Sequence, residues 1–226
     1  MGAVASLPDP DAAARHGGLP FGSAWFRDQA HEFGARASIA GLFVVLATRI
    51  GKEFVETGHV TGLLLLVSEL LVVVLTVVRR RAAVVDRTWT ARAVAAASMV
   101  FVPLIKPAGG PLAPDLVTAS ISGVGLSIII AGKLALGRSF GLMPANRGVV
   151  SSGIYRSVRH PIYAGYLVTH AAFLAAHPTP VNLLLLVVSD ICLLLRAAFE
   201  ERTLALDPEY RGYMQRVRWR IAPGLF

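Results

Sequence analysis

Apolar runs of roughly 15–20 residues alternate in this chain with short stretches rich in arginine, and this pattern constrains its fold more than any other feature. About 20 apolar residues in a helix reach across a bilayer, and a helix satisfies its own backbone hydrogen bonds where no water is available. The run from Val60 to Val78 is the clearest, interrupted only by Ser68, Glu69 and a few threonine or glycine positions. Other runs place spans near 37–57, 91–106, 116–136, 162–177 and 181–199. Arg49, Lys52 and Glu53 fall in the second half of the first, so five spans with that helix lying in the interface is the alternative to six. The chain is 54% hydrophobic and 16% charged. A soluble domain usually carries about 25% charged residues. The expected fold class is therefore all-α, a polytopic transmembrane bundle without β-sheet.

The arginines set an orientation. Arg79, Arg80, Arg81, Arg87 and Arg92 lie between the second and third spans, and Arg138, Arg147, Arg156 and Arg159 between the fourth and fifth. Arg202, Arg211, Arg216, Arg218 and Arg220 follow the last. The opposite loops carry only Lys52 and Lys106. With about six spans and both termini inside, every arginine cluster faces the cytoplasm, as the positive-inside rule requires. The net charge of +8 then belongs to topology and lipid headgroups rather than to nucleic acid, for which there is no basic-aromatic module. The single cysteine, Cys192, excludes an intrachain disulfide and a cysteine-based metal site, and no metal is expected. Residues 1–36 read as a disordered or interfacial leader, with Pro8, Asp9, Pro10 and Asp11 in place of the apolar core of a signal peptide. Residues 37–136 read as the first four spans, and residues 137–226 as a catalytic region ending in a cytoplasmic helix.

Chemistry-bearing residues concentrate in that last region. In Gly153–Tyr166, Pro161 suits the first position of a helix, where its missing N–H costs nothing. His160 then stands at the helix entrance, beside free backbone N–H groups and the positive dipole end, a place that suits a carboxylate. Tyr163, Tyr166 and His170 follow at spacings of three and four and share one face. They make either a polar wall on a cavity or an interfacial belt in the headgroups. Arg196 and Glu200, four apart, can pair on one helix face, with Glu201 following; the alternative is an arginine snorkelling to the interface. Asp207 and Pro208 begin a further helix as N-cap and first residue. Its basic, aromatic end, with Arg216, Arg218, Trp219 and Arg220, either rests on headgroups or covers the site. Glu69, His170 and Asp190 lie inside spans and are expected to make interhelical hydrogen bonds. Ala119, Gly123 and Ser127 form a stripe of small residues for close helix packing.

Together these pieces resemble the isoprenylcysteine carboxyl methyltransferase family and its bacterial relatives, which include phospholipid methyltransferases. The resemblance rests on Gly153-Ile154-Tyr155-Arg156, on Arg159-His160-Pro161-Ile162-Tyr163-Ala164-Gly165, and on a helical hairpin. It continues through Arg196, Glu200-Glu201, Leu204, Tyr210, Tyr213 and a basic segment ending in Pro223, over roughly residues 133–226. It implies that S-adenosylmethionine binds among Arg147, Gly148, Val149, Val150, Tyr155, Arg159, His160, Pro161, Ile162 and Tyr163. It further implies that Arg196 and Glu200 are the catalytic, substrate-side pair, with Glu201 beside them. Eukaryotic members often carry a tryptophan-serine pair where this chain reads Gly137-Arg138-Ser139-Phe140, a departure that leaves the acceptor open to groups other than a prenylated protein. The implied partners are membrane lipids and a lipophilic acceptor bearing a carboxylate, amine or thiol. A carboxylate is already ionised and suits Arg196, whereas an amine or thiol must lose a proton, with Glu200 as base. Two other functions fit the layout less well. A membrane reductase using NADPH shares the Arg-His-Pro element but typically continues with Asn-Tyr and Gly-Glu, not Ile162-Tyr163 and Gly165-Tyr166. A non-enzymatic membrane protein would depend more on Glu69 and Asp190 than on Arg196.

Overall fold

The computed structural model describes residues 60–86 and 88–224, together with scattered helical positions between Gly34 and Val55. The expected leader and most of the span at 37–57 lie outside the described residues. Six α-helices follow: α1 (Val60–Val78), α2 (Trp89–Val100), α3 (Asp115–Leu136), α4 (Pro161–Ala176), α5 (Pro180–Leu204) and α6 (Pro208–Arg216). Their starts are written locally. Thr88 accepts from the Ala91 N–H ahead of α2, Thr179 from Asn182 ahead of α5, and Asp207 from Glu209 ahead of α6. Pro161, Pro180 and Pro208 each open their helix, as expected for Pro161 and Pro208.

Two helices, Asp115–Ser139 with its final turn and Pro180–Leu204, are long and apolar enough to cross a membrane. At 1.5 Å per residue, the 25 residues of α5 reach about 37 Å, past the roughly 30 Å of hydrocarbon. Only 28% and 33% of their most apolar windows are buried by the rest of the chain. A core helix of a soluble protein is covered on most sides; here Leu116, Val124, Leu134, Leu184, Ile191 and others point outward. The 16 residues of α4 reach about 24 Å and the 12 of α2 about 18 Å. The span expected at 91–106 is thus a short helix followed by a 3-10 turn, Val102–Leu104.

The bundle is not purely helical. Val84–Val85 (β1) and Ala145–Asn146 (β2) pair antiparallel, Val84 opposite Asn146 and Val85 opposite Ala145. This small ladder ties the loop after α1 to the loop after α3, where polar backbone outside the helices needs partners.

α3 and α4 pack along most of their lengths, α2 lies on α5, and α1 on α3. Glycine permits the α3–α4 crossing, but not the glycine expected. Ala119 and Ser127 are exposed, and a Cβ on Gly123 would meet nothing within 4 Å. The packed face carries Gly125, Ile129 and Gly132 instead. A Cβ on Gly165 would lie 2.6 Å from Ile129 Cγ1 and 2.7 Å from the Gly125 carbonyl oxygen. Small residues matter in a membrane helix only where a neighbouring backbone approaches, and α4 approaches the Gly125 face.

Polar groups inside the bundle are mostly paired. His170 Nδ1 on α4 lies 2.6 Å from Asp190 Oδ1 on α5, the interhelical bond expected of both. Lys133, singled out by no motif, is fully buried; its ammonium donates to Ser68 O at 3.0 Å and Ser68 Oγ at 2.7 Å. Glu69 departs from expectation: its Oε2 is buried without a hydrogen-bond partner among the described residues.

Candidate active site

The described residues enclose a cavity of about 120 Å³ where the start of α4, the end of α5, α6 and the 136–150 segment converge. All five tyrosines of the chain line it: Tyr155, Tyr163, Tyr166, Tyr210 and Tyr213. Spread over 59 positions, they show no periodicity in the sequence as a whole.

The hairpin of α4 and α5 brings the ionisable groups together. α5 runs on past Phe199, so Arg196 and Glu200 share a face, and Arg196 Nε donates to Glu200 Oε1 at 3.1 Å. The same oxygen accepts from the Tyr163 hydroxyl at 2.6 Å. The Arg196 guanidinium lies 5.5 Å over the Tyr163 ring, a cation–π contact, and its Nη2 reaches the Gly141 carbonyl at 3.4 Å. His160 stacks on the other part of this assembly, its ring parallel to Tyr163 within 2° at 5.3 Å. The face expected to be shared by Tyr163, Tyr166 and His170 exists, with Tyr166 stacked on His170 at 6.2 Å.

Glu201, one residue on, turns away from the cavity. Its Oε1 lies 2.9 Å from Arg159 Nε and 3.1 Å from His160 Nε2, and its Oε2 accepts from Arg220 Nε at 2.9 Å. Successive helical residues point about 100° apart, which is why neighbouring acids serve different surroundings. The segment after α6 closes on the same spot: Arg159 N–H donates to the Trp219 carbonyl at 2.9 Å and His160 N–H to that of Arg220 at 2.8 Å. The backbone N–H of His160 is therefore engaged by the chain itself. The basic, aromatic segment therefore packs behind the wall and lines no part of the cavity, with Trp219 40% exposed.

The 136–150 segment forms the opposite wall. Gly148 adopts φ +103°, open to glycine and strained for other residues, and Ser139 Oγ donates to the Arg147 carbonyl at 3.1 Å. Asn146 links this wall to α6: its Nδ2 donates to Asp207 Oδ2 at 2.9 Å and its Oδ1 accepts from Gly148 N–H at 2.9 Å. The bond from Asn146 holds the Asp207 carboxyl below its ordinary range. Burial pushes the Tyr155 and Tyr210 hydroxyls well above theirs, and Tyr213, which donates to the Tyr155 carbonyl at 2.7 Å, up to about 12.

Of the residues implicated from the sequence, Arg147, Gly148, Val149, Val150, Tyr155, Arg159, His160, Ile162, Tyr163, Arg196 and Glu200 all line the cavity. Pro161 is buried at the start of α4 without lining it, and Glu201 lies behind it. Sequence reasoning missed Phe140, Leu142 and Met143, apolar residues of a loop with no recognisable pattern; the flanking glycines at 137, 141 and 148 were the available signal.

An apolar helical hairpin thus brings an arginine–glutamate pair, a histidine and tyrosines to one cavity. Residues 116–206 match the model of the phospholipid methyltransferase family, which the motifs of this region also resemble. The match begins with α3, earlier than the motifs do, and stops just beyond α5. It thus takes in Arg196 and Glu200 but not Tyr210, Tyr213 or the closing segment. No curated protein matches the chain.

Proposed function

We propose that this protein uses S-adenosylmethionine to methylate an amine-bearing lipophilic acceptor at the cytoplasmic face of a membrane. The observation that carries the choice of acceptor is the double engagement of Glu200 Oε1 by Tyr163 and Arg196. Arg196 already spends its Nε on Glu200, so an acceptor carboxylate held by the remaining edge would sit beside a second negative charge. An amine faces the opposite situation: Glu200 attracts its cation and can take the proton it must lose. Amine methylation is thus favoured over the carboxylate and thiol alternatives.

The residues present fit the cofactor. The tyrosine rings of the wall offer faces to an aromatic base, and Arg147 offers charge to a carboxylate. Val149, Val150 and Ile162 supply apolar surface that excludes water. When bound, the cofactor supplies an electrophilic methyl on a sulfonium. The chain's own work is to hold the acceptor nitrogen in line, keep water out and receive its proton at Glu200. The outward apolar faces of α3 and α5 support a setting in the bilayer, and the arginine clusters support a cytoplasmic mouth.

The test is a thermal-shift titration of the detergent-purified protein with S-adenosylhomocysteine and, separately, NADPH. A ligand that binds only the folded state raises the melting temperature with concentration. S-adenosylhomocysteine is expected to stabilise, NADPH not, and Tyr163→Ala is expected to remove the shift. Stabilisation by NADPH alone would replace this reading with the reductase.

A further inference from the structure

The loop after α1 is a strap across the outer side of the cavity wall. Arg80 N–H donates to the Arg138 carbonyl at 2.7 Å, Ala83 N–H to that of Asn146 at 2.8 Å and Asp86 N–H to that of Pro144 at 3.1 Å. Arg138 returns a bond, its Nε donating to the Val78 carbonyl at 3.1 Å. The β1–β2 ladder lies between these points. A side chain follows the backbone: a Cβ on Gly148 would lie 3.6 Å from Arg80 Nη1, so that guanidinium rests against the wall where Gly148 lines the cavity. Strap and wall are one hydrogen-bonded unit, and what steadies the first steadies the second.

The outward side of the strap has the make-up of a membrane-surface contact. Residues 79–92 carry Arg79, Arg80, Arg81, Arg87 and Arg92 against a single acid, Asp86. Asp86 Oδ1 is taken locally, accepting from the Thr88 N–H at 2.9 Å and its hydroxyl at 2.7 Å. Arg80, Arg81 and Arg92 are exposed, and none is ion-paired among the described residues. Val84 and Val85 are exposed between them, and Trp89 is 80% exposed at the start of α2. Val77, Val78 and Leu134, at the ends of the adjoining helices, are exposed as well, so the arginines begin where an outward apolar surface stops. That order, apolar helix, then arginine and indole, fits the headgroup layer of a bilayer, where phosphates meet guanidinium groups and the ring sits among the esters. The unbalanced positive charge selects headgroups with a net negative charge over zwitterionic ones.

We propose that residues 79–92 are a docking surface for anionic phospholipid headgroups, and that its occupancy steadies the cavity wall. The surface lies outside the family match, which starts at residue 116. The inference rests on the membrane setting proposed above and not on the reaction.

Hydrogen–deuterium exchange of the full chain in nanodiscs tests it, with discs of phosphatidylcholine alone and of equal parts phosphatidylcholine and phosphatidylglycerol. Each arginine at an anionic surface is worth about fivefold in binding. Phosphatidylglycerol is expected to slow exchange about 3- to 10-fold over residues 79–86 and 139–148 and to leave α4 unchanged. Arg80→Gln/Arg81→Gln is expected to lose the slowing, while its exchange in phosphatidylcholine stays within about twofold of the parent's. Arg80→Lys/Arg81→Lys is expected to keep most of it, because the surface recognises charge. Absence of slowing in the parent, slowing spread equally over α4, or slowing kept by the glutamine variant would overturn the proposal. So would faster exchange of the glutamine variant in phosphatidylcholine, which would mean that the arginines act within the chain. A chain that enters neither disc fails at an earlier step and overturns the membrane setting together with the surface. Failure of S-adenosylhomocysteine to bind would sink the methyltransferase reading and leave this readout intact.

Discussion

At the scale of single residues, neighbours in sequence have separate tasks. Glu200 faces the cavity and Glu201 the closing segment, although the sequence offers them as an undivided pair. Glu200→Gln keeps the size and most bonds of the side chain but removes its basicity. Turnover of an amine acceptor is expected to fall by about 10²- to 10⁴-fold, measured by transfer of labelled methyl; unchanged turnover would remove Glu200 from proton transfer. The tyrosines make a different prediction. Tyr155, Tyr210 and Tyr213 hold their protons more tightly in the fold than in an unfolded chain, whose tyrosines ionise near pH 10. The stabilisation they give is complete below that pH and is lost as pH rises toward about 12, through the Tyr213 value. In an alkaline titration, tyrosinate absorbance from these three should therefore appear together with unfolding, not ahead of it. The pairing of Arg196 with Glu200 was legible because helix spacing fixes it. The convergence of five tyrosines was not, because α6 and the Gly153–Arg156 turn reach the cavity by tertiary folding alone.

Among the elements, apolar periodicity placed α1, α3, α4 and α5 within a few residues of their observed bounds. What it left open was which face each helix turns inward. In water the buried face is the apolar one, but an outward face against lipid is equally apolar, so the pattern is silent. That is why Ala119, Gly123 and Ser127 looked like a packing stripe and lie on the outside, while Gly125 and Gly165 set the helix crossing. The two kinds of glycine should separate on substitution. Gly165→Ala forces a methyl into Ile129 and the Gly125 carbonyl and is expected to cost about 1–3 kcal/mol. Gly123→Ala meets nothing and is expected to be neutral or slightly stabilising through helix propensity. Melting temperatures of the two variants in one detergent decide this, and equal values would mean the crossing tolerates a wider separation. Lys133 belongs to the same lesson: a lysine near a helix end reads as snorkelling outward, yet it is buried against Ser68.

For the whole molecule, the question is how the bundle lies in a bilayer. The arginine clusters and the cavity occupy one end: Arg80 N–H donates to the Arg138 carbonyl, and the cavity is lined by Arg147, Arg159 and Arg196. The other end is tied off by Asn182, which accepts from Lys106 N–H and donates to the Lys106 and His177 carbonyls. On a Cys192→Ala background, single cysteines at Arg81 and Arg218 should react with an impermeant thiol reagent only from the cytoplasmic side. One at Pro178 should react only from the other. Labelling of Arg81 and Pro178 positions from the same side would break the proposed orientation.

The closing segment has a consequence for the order of events in the cell. Trp219 and Arg220 lend their carbonyls to the amides of Arg159 and His160, and Arg220 supplies one of the guanidinium groups around Glu201. A ribosome makes these residues only after α3, α4 and α5 have been translated. A nascent chain halted before residue 219 therefore carries the hairpin without the support behind its histidine.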